Sequence, residues 1–295
     1  MQVDAIICSD LHFRDTTPIC RTDNYWESQI NKMKWLSDLQ KEHDDCPILC
    51  AGDYFHQWKP VPMTLSACIE YMPCVYTIPG NHDLPQHSIE LINKSGLKTL
   101  EKSGTIKLLS NTKRNINYGI SVFGAPYGLD KSKLEKATIL MCHEMIYQSP
   151  EHWQKENGSQ ALAFLKKHKG YQLIVTGHNH KPFTAQHEGR LLVNPGSLMR
   201  MTADQKDYKP RVYLWNKESN TVKIEYVPID KTAVEIAYLE KTKERNERME
   251  SFIDRLKSSK EVGLSFEKNL ENYLANNRVR SSVKSIIYEC IGGEV

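Results

Sequence analysis

The feature that most restricts the fold of this chain is a regular alternation of short apolar runs and helical patterns near its start. Apolar runs at 3–8, 47–51 and 74–78 have the length and composition of buried strands. Between them, apolar residues recur at helical spacing over 25–41 and 63–71. A strand–helix–strand–helix–strand order predicts a parallel sheet with right-handed crossovers. The residues that follow the three strands should therefore lie along one edge of that sheet.

Each of these runs is followed by carboxylate, amide or imidazole side chains. Any one cluster has an ordinary explanation as a polar turn, because Asn and Asp are common in turns. The repetition of the pattern is what points to a function. The clusters are Asp10 and His12 after the first run, Asp53 and His56 after the second, and Asn81, His82 and Asp83 after the third.

Two later strands end in the same way. The run 137–142 leads into His143, and the run 173–176 leads into Gly177-His178-Asn179-His180. The strand-end clusters hold six of the 11 histidines, at 12, 56, 82, 143, 178 and 180. Further strands are predicted at 106–109, 120–123, 191–197, 211–215 and 222–227, and further helices near 86–93 and 160–167.

Composition sets few limits on the function. The chain has 295 residues, 40% of them hydrophobic, which is enough for one large domain and a small one. A net charge of +3 indicates no broad basic surface for nucleic acid. The first apolar run is too short for a targeting segment, and no run approaches the ~20 apolar residues of a membrane span. We expect a soluble, cytoplasmic protein without a membrane partner.

The pattern of apolar residues changes after Pro228. Apolar residues recur at helical spacing in three stripes, over 249–256, 266–274 and 279–291. We therefore predict a domain at 1–227 and a small, mainly helical domain at 228–295. Its stripes could pack on one another or on the main domain, cover the active site, or dock a partner protein.

The strand-end side chains form a donor set suited to metal ions. A mixture of carboxylate, amide and imidazole ligands favours manganese, iron or zinc over magnesium, which prefers oxygen ligands. Seven donor side chains are too many for a single metal site. They suit two ions about 3.5–4 Å apart that share one carboxylate. The predicted metal ligands are Asp10, His12, Asp53, Asn81, His143, His178 and His180.

In this order the motifs Asp-x-His, Gly-Asp, Gly-Asn-His-Asp, a lone His and Gly-His-x-His resemble the calcineurin-like metallophosphoesterases over residues 3–227. The resemblance implies an α/β fold, an α/β/β/α sandwich with mixed sheets, and hydrolysis of phosphoesters at a dimetal centre. It implies that His82 meets the substrate phosphate or leaving group and that Asp83 orients His82. It further implies one metal held by Asp10, His12 and His180, a second held by Asn81, His143 and His178, and Asp53 as the bridge.

The segment Gly52-Asp53-Tyr54-Phe55-His56 is similar to a motif of the SbcD-type DNA-repair nucleases. That resemblance implies a Mn²⁺-dependent DNA exonuclease, and possible endonuclease, in repair, recombination or replication. It places His56 beside the metals as a third catalytic residue, and implies an SMC-like coiled-coil ATPase partner and a homodimer. The sequence departs from the branch at Phe13-Arg14, where a Leu and a small residue are usual.

Two other functions remain open from the sequence. The same dimetal core could serve a phosphatase or a small-molecule or cyclic-nucleotide phosphodiesterase, with the helical tail as a lid. A non-catalytic scaffold is disfavoured, because no ligand position is lost. Basic residues flank the motifs and could contact phosphates or be ordinary solvated charges; they are Arg14, Arg21, Lys59, Lys181 and Arg200.

Overall fold

The computed structural model describes residues 2–116, 119–130, 134–149, 158–236, 249, 251 and 266–291. The chain divides into two compact units, Met1–Ile236 and Ala237–Val295. Residues just before the division pack on the first unit, where Ala233 and Val234 are buried and the Glu235 amide donates to the carbonyl of Cys20.

Within the described residues, the first unit consists of short strands and four α-helices. The helices are α1 Tyr25–Glu42, α2 Pro62–Tyr71, α3 Gly96–Ser103 and α4 Ala161–Lys167. The strands are β1 Ala5–Cys8, β2 Ile48–Cys50, β3 Val75–Thr77, β4 Ile106–Leu108, β5 Thr112–Ile116, β6 Ile120–Ala125, β7 Ile139–His143, β8 Ile146–Tyr147, β9 Ser159–Gln160, β10 Leu173–Gly177, β11 Phe183–His187, β12 Arg190–Asn194, β13 Arg211–Asn216 and β14 Thr221–Tyr226.

These strands form two mixed six-stranded sheets and one small parallel pair, β8 with β9. Sheet 1 has the order β14-β13-β1-β2-β3-β4, in which β1 to β4 are parallel, β13 pairs antiparallel with β1, and β14 pairs antiparallel with β13. Sheet 2 has the order β11-β12-β10-β7-β6-β5, with a parallel centre and an antiparallel strand at each edge. The predicted parallel arrangement of the first three strands is confirmed.

Alternation along β1 explains why the sheets are stacked. Ile6 and Cys8 belong to the core beneath α1, α2 and α3, whereas Ala5 and Ile7 belong to the core shared with sheet 2. Because successive side chains point to opposite faces, a strand apolar at every position must be covered on both. A third core lies between sheet 2 and α4. The predicted α/β/β/α class with two mixed sheets is confirmed.

The helix predicted near 86–93 is wrong. This segment forms two short 3₁₀ turns, Pro85–His87 and Ile89–Lys94, and the helix follows as α3. Gln86 and His87 have left-handed φ angles of 52° and 57°, which an α-helix does not accommodate. Ser95 instead caps the next segment by accepting from the Lys98 amide.

Four strands escaped the sequence pattern: the two-residue strands β8 and β9, and the longer strands β5 and β11. β5 is exposed at four of its five positions, and β11 is only partly buried. Both pair antiparallel at an edge of sheet 2, where one neighbouring strand supplies the backbone hydrogen bonds. An edge position does not require an apolar run, so the apolar pattern could not reveal them.

The described part of the second unit contains two helices, α5 Phe266–Asn276 and α6 Ser281–Ile291. Leu274 is buried, and the ammonium of Lys284 donates to its carbonyl over 2.7 Å. The stripe predicted at 249–256 lies outside the described residues except for positions 249 and 251. Within the described ranges, every helix is too short or too polar to span a lipid bilayer.

Candidate metal centre

The ends of strands from both sheets bring the predicted ligands together. Among the described residues, three groups of donor atoms each lie within 4.8 Å of one another: His12, His56 and His82 form one, and the other two groups share Asp53. Asp53 is therefore in the position that a shared carboxylate would occupy. Of the two groups that share Asp53, the first is Asp10, His12, Asp53 and His180, and the second is Asp53, His143 and His178.

Asp53 is oriented by the backbone of the third strand end. Its Oδ1 accepts a hydrogen bond from the His82 amide at 2.9 Å. Its Oδ2 is then directed between two imidazoles, 3.3 Å from His143 Nε2 and 3.6 Å from His12 Nε2. Burial alone would raise the pKa of Asp53, but His143, His12 and His82 outweigh it and hold this pKa far below its ordinary value. The carboxylate is ionised whenever the protein is folded at neutral pH.

The surroundings of His143 fit a metal ion. Its Nδ1 donates to the Ala51 carbonyl over 2.7 Å, so the lone pair of the neutral ring is on Nε2. This Nε2 faces two oxygens, Asn81 Oδ1 at 3.0 Å and Asp53 Oδ2 at 3.3 Å. Three lone pairs that converge require a cation between them or a proton on the nitrogen. Burial lowers the pKa of His143, yet the Asp53 carboxylate outweighs it and raises the pKa to about 9.

The other group is built in a similar way around Asp10. Asp10 accepts from the Ser9 hydroxyl at 2.6 Å and from the His178 amide at 3.0 Å. The Nε2 atoms of His12 and His180 lie 3.1 Å apart, and burial holds the pKa of His12 well below its ordinary value. A neutral imidazole offers its lone pair to a metal without losing a proton first.

Four of the predicted ligands have strained backbone conformations. Asp10, His12, Asp53 and His178 have φ angles of 51°, 49°, 51° and 78°, in the left-handed region. Such conformations each cost about 1–3 kcal/mol unless the surroundings impose them. Here the strand-end turns impose them, and the polar side chains are thereby directed out of the sheets.

Gly80 is required by close approach. A Cβ at this position would overlap the side chain and the amide of Asp53. Gly52 lies beside the His143 ring and has a φ of 93°, so both a side chain and an L-residue's backbone preference would be unfavourable there.

His82 and His56 form a second imidazole cluster beside His12. The rings of His56 and His82 are stacked with centroids 5.5 Å apart, and His82 lies 4.8 Å from His12. His82 Nδ1 donates to the carbonyl of His56 at 2.7 Å, which leaves Nε2 for a substrate. Burial, aided by Arg14, lowers the pKa of His56 to about 4, so its ring is neutral.

The structure gives Asp83 a different role from the one expected. Its carboxylate accepts from the amides of Tyr54, Phe55 and Gly80 at 3.0–3.1 Å. Burial and the neighbouring Asp53 raise the pKa of Asp83 to about 7, although these amides favour the ionised form. Asp83 thus joins two strand-end loops, while the hydrogen bond that orients the His82 ring comes from the backbone of His56.

The flanking basic residues separate into two kinds. Arg21 and Arg200 are buried, and both donate to backbone carbonyls, Arg21 to that of Arg200 and Arg200 to that of Lys206. They support the fold and do not face a substrate. Arg14 and Lys59 lie with His56 around a small surface pocket, and Lys181 lines the main cavity.

A cavity of about 550 Å³ opens from the predicted ligands. Part of its wall follows β12 and was not predicted as functional, although the turn at Asn194-Pro195-Gly196-Ser197 was recognised. Tyr208 donates to the carbonyl of Ser197, and Gln205 donates to its hydroxyl. The turn sequence after β12 was the feature of the sequence that could have identified this part of the wall. The cavity is lined by Asp53, Asn81, His82, Met145, His178, Asn179, His180, Lys181, Thr202, Asp204, Gln205 and Tyr208.

A profile of the calcineurin-like phosphoesterase superfamily domain matches residues 3–214. The chain belongs to this superfamily, and it is a metal-dependent phosphoesterase. The superfamily uses a dinuclear divalent metal centre, and the two donor groups that share Asp53 are candidates to hold it. No curated protein sequence matches the chain.

Solved structures resemble the chain at low identity. A protein of Thermus thermophilus is 14% identical over 77% of this chain and 100% of that one, with a TM-score of 0.49. An archaeal phosphodiesterase is 13% identical over 75% and 98%, with a TM-score of 0.43. A 5'-nucleotidase of Staphylococcus aureus is 11% identical over 77% and 54%, with a TM-score of 0.41.

Proposed function

We propose that this protein is a DNA nuclease that hydrolyses phosphodiester bonds at two Mn²⁺ ions. The observation that carries the proposal is the position of His56. It is stacked on His82 beside the predicted ligand His12, and Arg14 and Lys59 share its surface pocket. A neutral imidazole next to two cations suits a polynucleotide backbone, which presents further phosphates on either side of the bond being cleaved.

The candidate ligands are arranged for a phosphoester between two ions. Bound divalent ions would supply Lewis-acid polarisation of the phosphoryl oxygens and lower the pKa of bound water. Asp53 holds the shared position because its Oδ1 is fixed by the His82 amide. His143 and Asn81 face Asp53 from one side, and His12 faces it from the other. These side chains set the geometry, and their buried backbone partners keep it rigid.

His82 is the residue that we assign to proton transfer. Its Nδ1 donates to the His56 carbonyl, so the proton that can move is carried by Nε2 of the imidazolium. His82 also lines the cavity that opens from the metal ligands. From there Nε2 can protonate a leaving oxygen or stabilise the charge on the phosphate.

The proposal is tested by comparing substrates under defined metal conditions. Purified protein is incubated with linear duplex DNA, single-stranded DNA and bis-p-nitrophenyl phosphate, with Mn²⁺, with Mg²⁺ and with chelator. We expect Mn²⁺-dependent DNA cleavage that the Asp53→Asn variant lacks. Intact DNA under every metal condition, together with hydrolysis of the small ester, contradicts the nuclease assignment.

A His56→Asn variant sharpens this test. If His56 serves DNA, this change lowers cleavage of DNA more than it lowers hydrolysis of the small ester. The matched control is His187→Asn, which changes a partly buried histidine on β11 that belongs to neither donor group. Equal losses on both substrates mean that His56 supports the centre without contributing to the choice of DNA.

A second candidate function is hydrolysis of a small phosphodiester or phosphomonoester. The cavity favours it, because Asp204 lies in its wall with Lys181 as the one lysine or arginine among the described lining residues. A carboxylate there repels the flanking phosphates of a polynucleotide. Faster turnover of nitrophenyl phosphates than of DNA would support this candidate.

We further propose that the nuclease acts in DNA repair, recombination or replication with an SMC-like coiled-coil ATPase, and as a homodimer. The amphipathic stripe at 279–291, part of which forms α6, is the proposed docking element. Light scattering of the full chain tests the dimer. Co-expression with an ATPase that carries a P-loop and long heptads tests the complex, and substitutions of Val283 and Ile286, both exposed on α6, should weaken it.

A further inference from the structure

Tyr127 lies against the imidazoles of one donor group, although no strand-end motif includes it. Its ring centroid is 5.8 Å from that of His178 and 6.3 Å from that of His143. The His87 ring centroid lies 6.2 Å from that of Tyr127. The Tyr127 side chain is partly exposed. An aromatic face thus lies within one nucleotide's reach of the position proposed for the scissile phosphate.

The backbone holds Tyr127 in this position. Its amide donates to the carbonyl of Pro79 at 3.0 Å, in the loop that carries Asn81. Gly128 follows with a φ of 76°, which turns the chain immediately after the ring. His87 is itself tied to the centre, because its Nδ1 donates to the Asn81 carbonyl at 2.9 Å. Residues in strained or anchored turns beside a reactive centre commonly contact a ligand.

Tyr127 is not among the described residues that line the large cavity. Its ring therefore lies next to the lining residue His178 and not in the cavity wall itself. A phosphodiester carries two substituents, and the two surfaces are of different kinds: one is a polar cavity, and the other presents an aromatic ring. Among the described residues, the aromatic contacts of Tyr127 are with imidazoles, and Tyr127 belongs to none of the three hydrophobic cores.

We propose that Tyr127, with His87 beside it, is a stacking surface for a nucleobase of the substrate. The inference rests on the proposed function and narrows it to esters whose substituent is a base. Stacking of a base on an aromatic side chain tolerates all four bases, because each has a π-face. The nuclease would therefore prefer a nucleotide over a base-free ester without reading the sequence.

The test compares two substrates that differ in their bases alone. Dithymidine phosphate and its abasic analogue, with tetrahydrofuran sugars, share the phosphodiester and backbone, and chromatography measures their hydrolysis. We expect Tyr127→Leu to lower kcat/KM about 10- to 100-fold more for dithymidine phosphate than for the abasic analogue, mainly through KM. Tyr127→Phe, which keeps the ring, should retain the preference. Tyr226→Leu, on the edge strand β14, is the matched control.

Other results overturn the inference. Equal losses on both substrates, or weakened metal binding in calorimetry of Tyr127→Leu, would mean that the ring supports His143 and His178 without touching substrate. If wild type hydrolyses neither substrate, DNA cleavage by the same preparation tests the proposed function, and calorimetry of thymidine 5'-phosphate against deoxyribose 5-phosphate on the Mn²⁺-loaded protein decides the stacking question. Equal affinities of these two ligands contradict it.

Discussion

The two sheets contribute very different ends to the candidate metal centre. On sheet 1, Asp10, His12 and Asp53 are at most 1% exposed and are held by backbone amides or neighbouring loops. On sheet 2, His143 is fully buried but the loop after β10 opens outwards, where the His180 side chain is 39% exposed. Among the residues of the two donor groups that share Asp53, His178 and His180 are the partly exposed ones, and both line the cavity.

This difference separates two physical tasks. The buried carboxylate of Asp53 is ionised because the surrounding imidazoles favour the charged form and depress its pKa. Exposed imidazoles at the cavity can move slightly and meet a substrate. Rigid positioning therefore comes from the buried donors, most of them on sheet 1, whereas the more exposed donors follow β10 of sheet 2. The predictions below test this division, beginning with the largest expected effect.

Asp53→Asn should cause the largest loss of activity. The variant removes the one carboxylate common to both donor groups. We expect at least a ~10³-fold loss of phosphoesterase activity, as when a preorganised charge is removed from a transition state. Metal analysis should show fewer than two ions bound. His180→Asn, at the exposed side, is the comparison, and an equal loss of metal in both variants would break the distinction between the sheets.

His82→Asn should lower kcat by about 10²–10⁴-fold, the usual contribution of a general acid or base. The donor groups that share Asp53 do not include His82, so bound metal should stay the same. Esters with a good leaving group, such as nitrophenolate, should lose less than DNA, because they need little protonation. A loss that is identical for both substrates would argue against proton transfer by His82.

Metal binding should strengthen with pH. The pKa of His143 is raised to about 9, so below this pH a metal must displace a proton, and its affinity should rise up to about tenfold per pH unit. In metal-free protein the stability of the fold has the opposite pH dependence. The raised pKa stabilises the fold fully below the unfolded value of about 6.5 and loses this effect as pH rises through 9.

Calorimetry at several pH values and urea unfolding of chelator-treated protein measure these two effects. His143→Gln should flatten both profiles. A metal affinity that does not change between pH 6 and 9 would show that His143 is not a ligand.

Gly80→Ala should have the smallest effect, on stability. The added Cβ overlaps Asp53, and overpacking of this kind costs about 1–3 kcal/mol in the free energy of unfolding. The matched control is Gly170→Ala, where the nearest atom is Lys136 Cγ at 3.4 Å. Chemical denaturation of both variants checks this. Equal stability would mean that the rigid edge of sheet 1 can relax.

The local pattern of the sequence was sufficient for much of the fold. Apolar runs before polar clusters located the strands β1, β2, β3, β7 and β10, because a buried strand must be apolar over its whole length. The pattern failed at β5 and β11, which are edge strands, and at α3, whose position depends on the cap at Ser95. Those segments depend on neighbours that are distant in sequence.

The sequence by itself determined the chemistry of the centre, because the order of Asp, Asn and His after glycine turns defines the donor set. Tertiary structure decided how those donors are used. It stacked the two sheets so that Asp53 meets His143, directed Asp83 to three backbone amides, and buried Arg21 and Arg200 away from any substrate. It also placed Tyr127 beside His178. The physical reason is that donor types are local properties of the chain, whereas burial, lone-pair direction and ring contacts arise between residues that folding brings together.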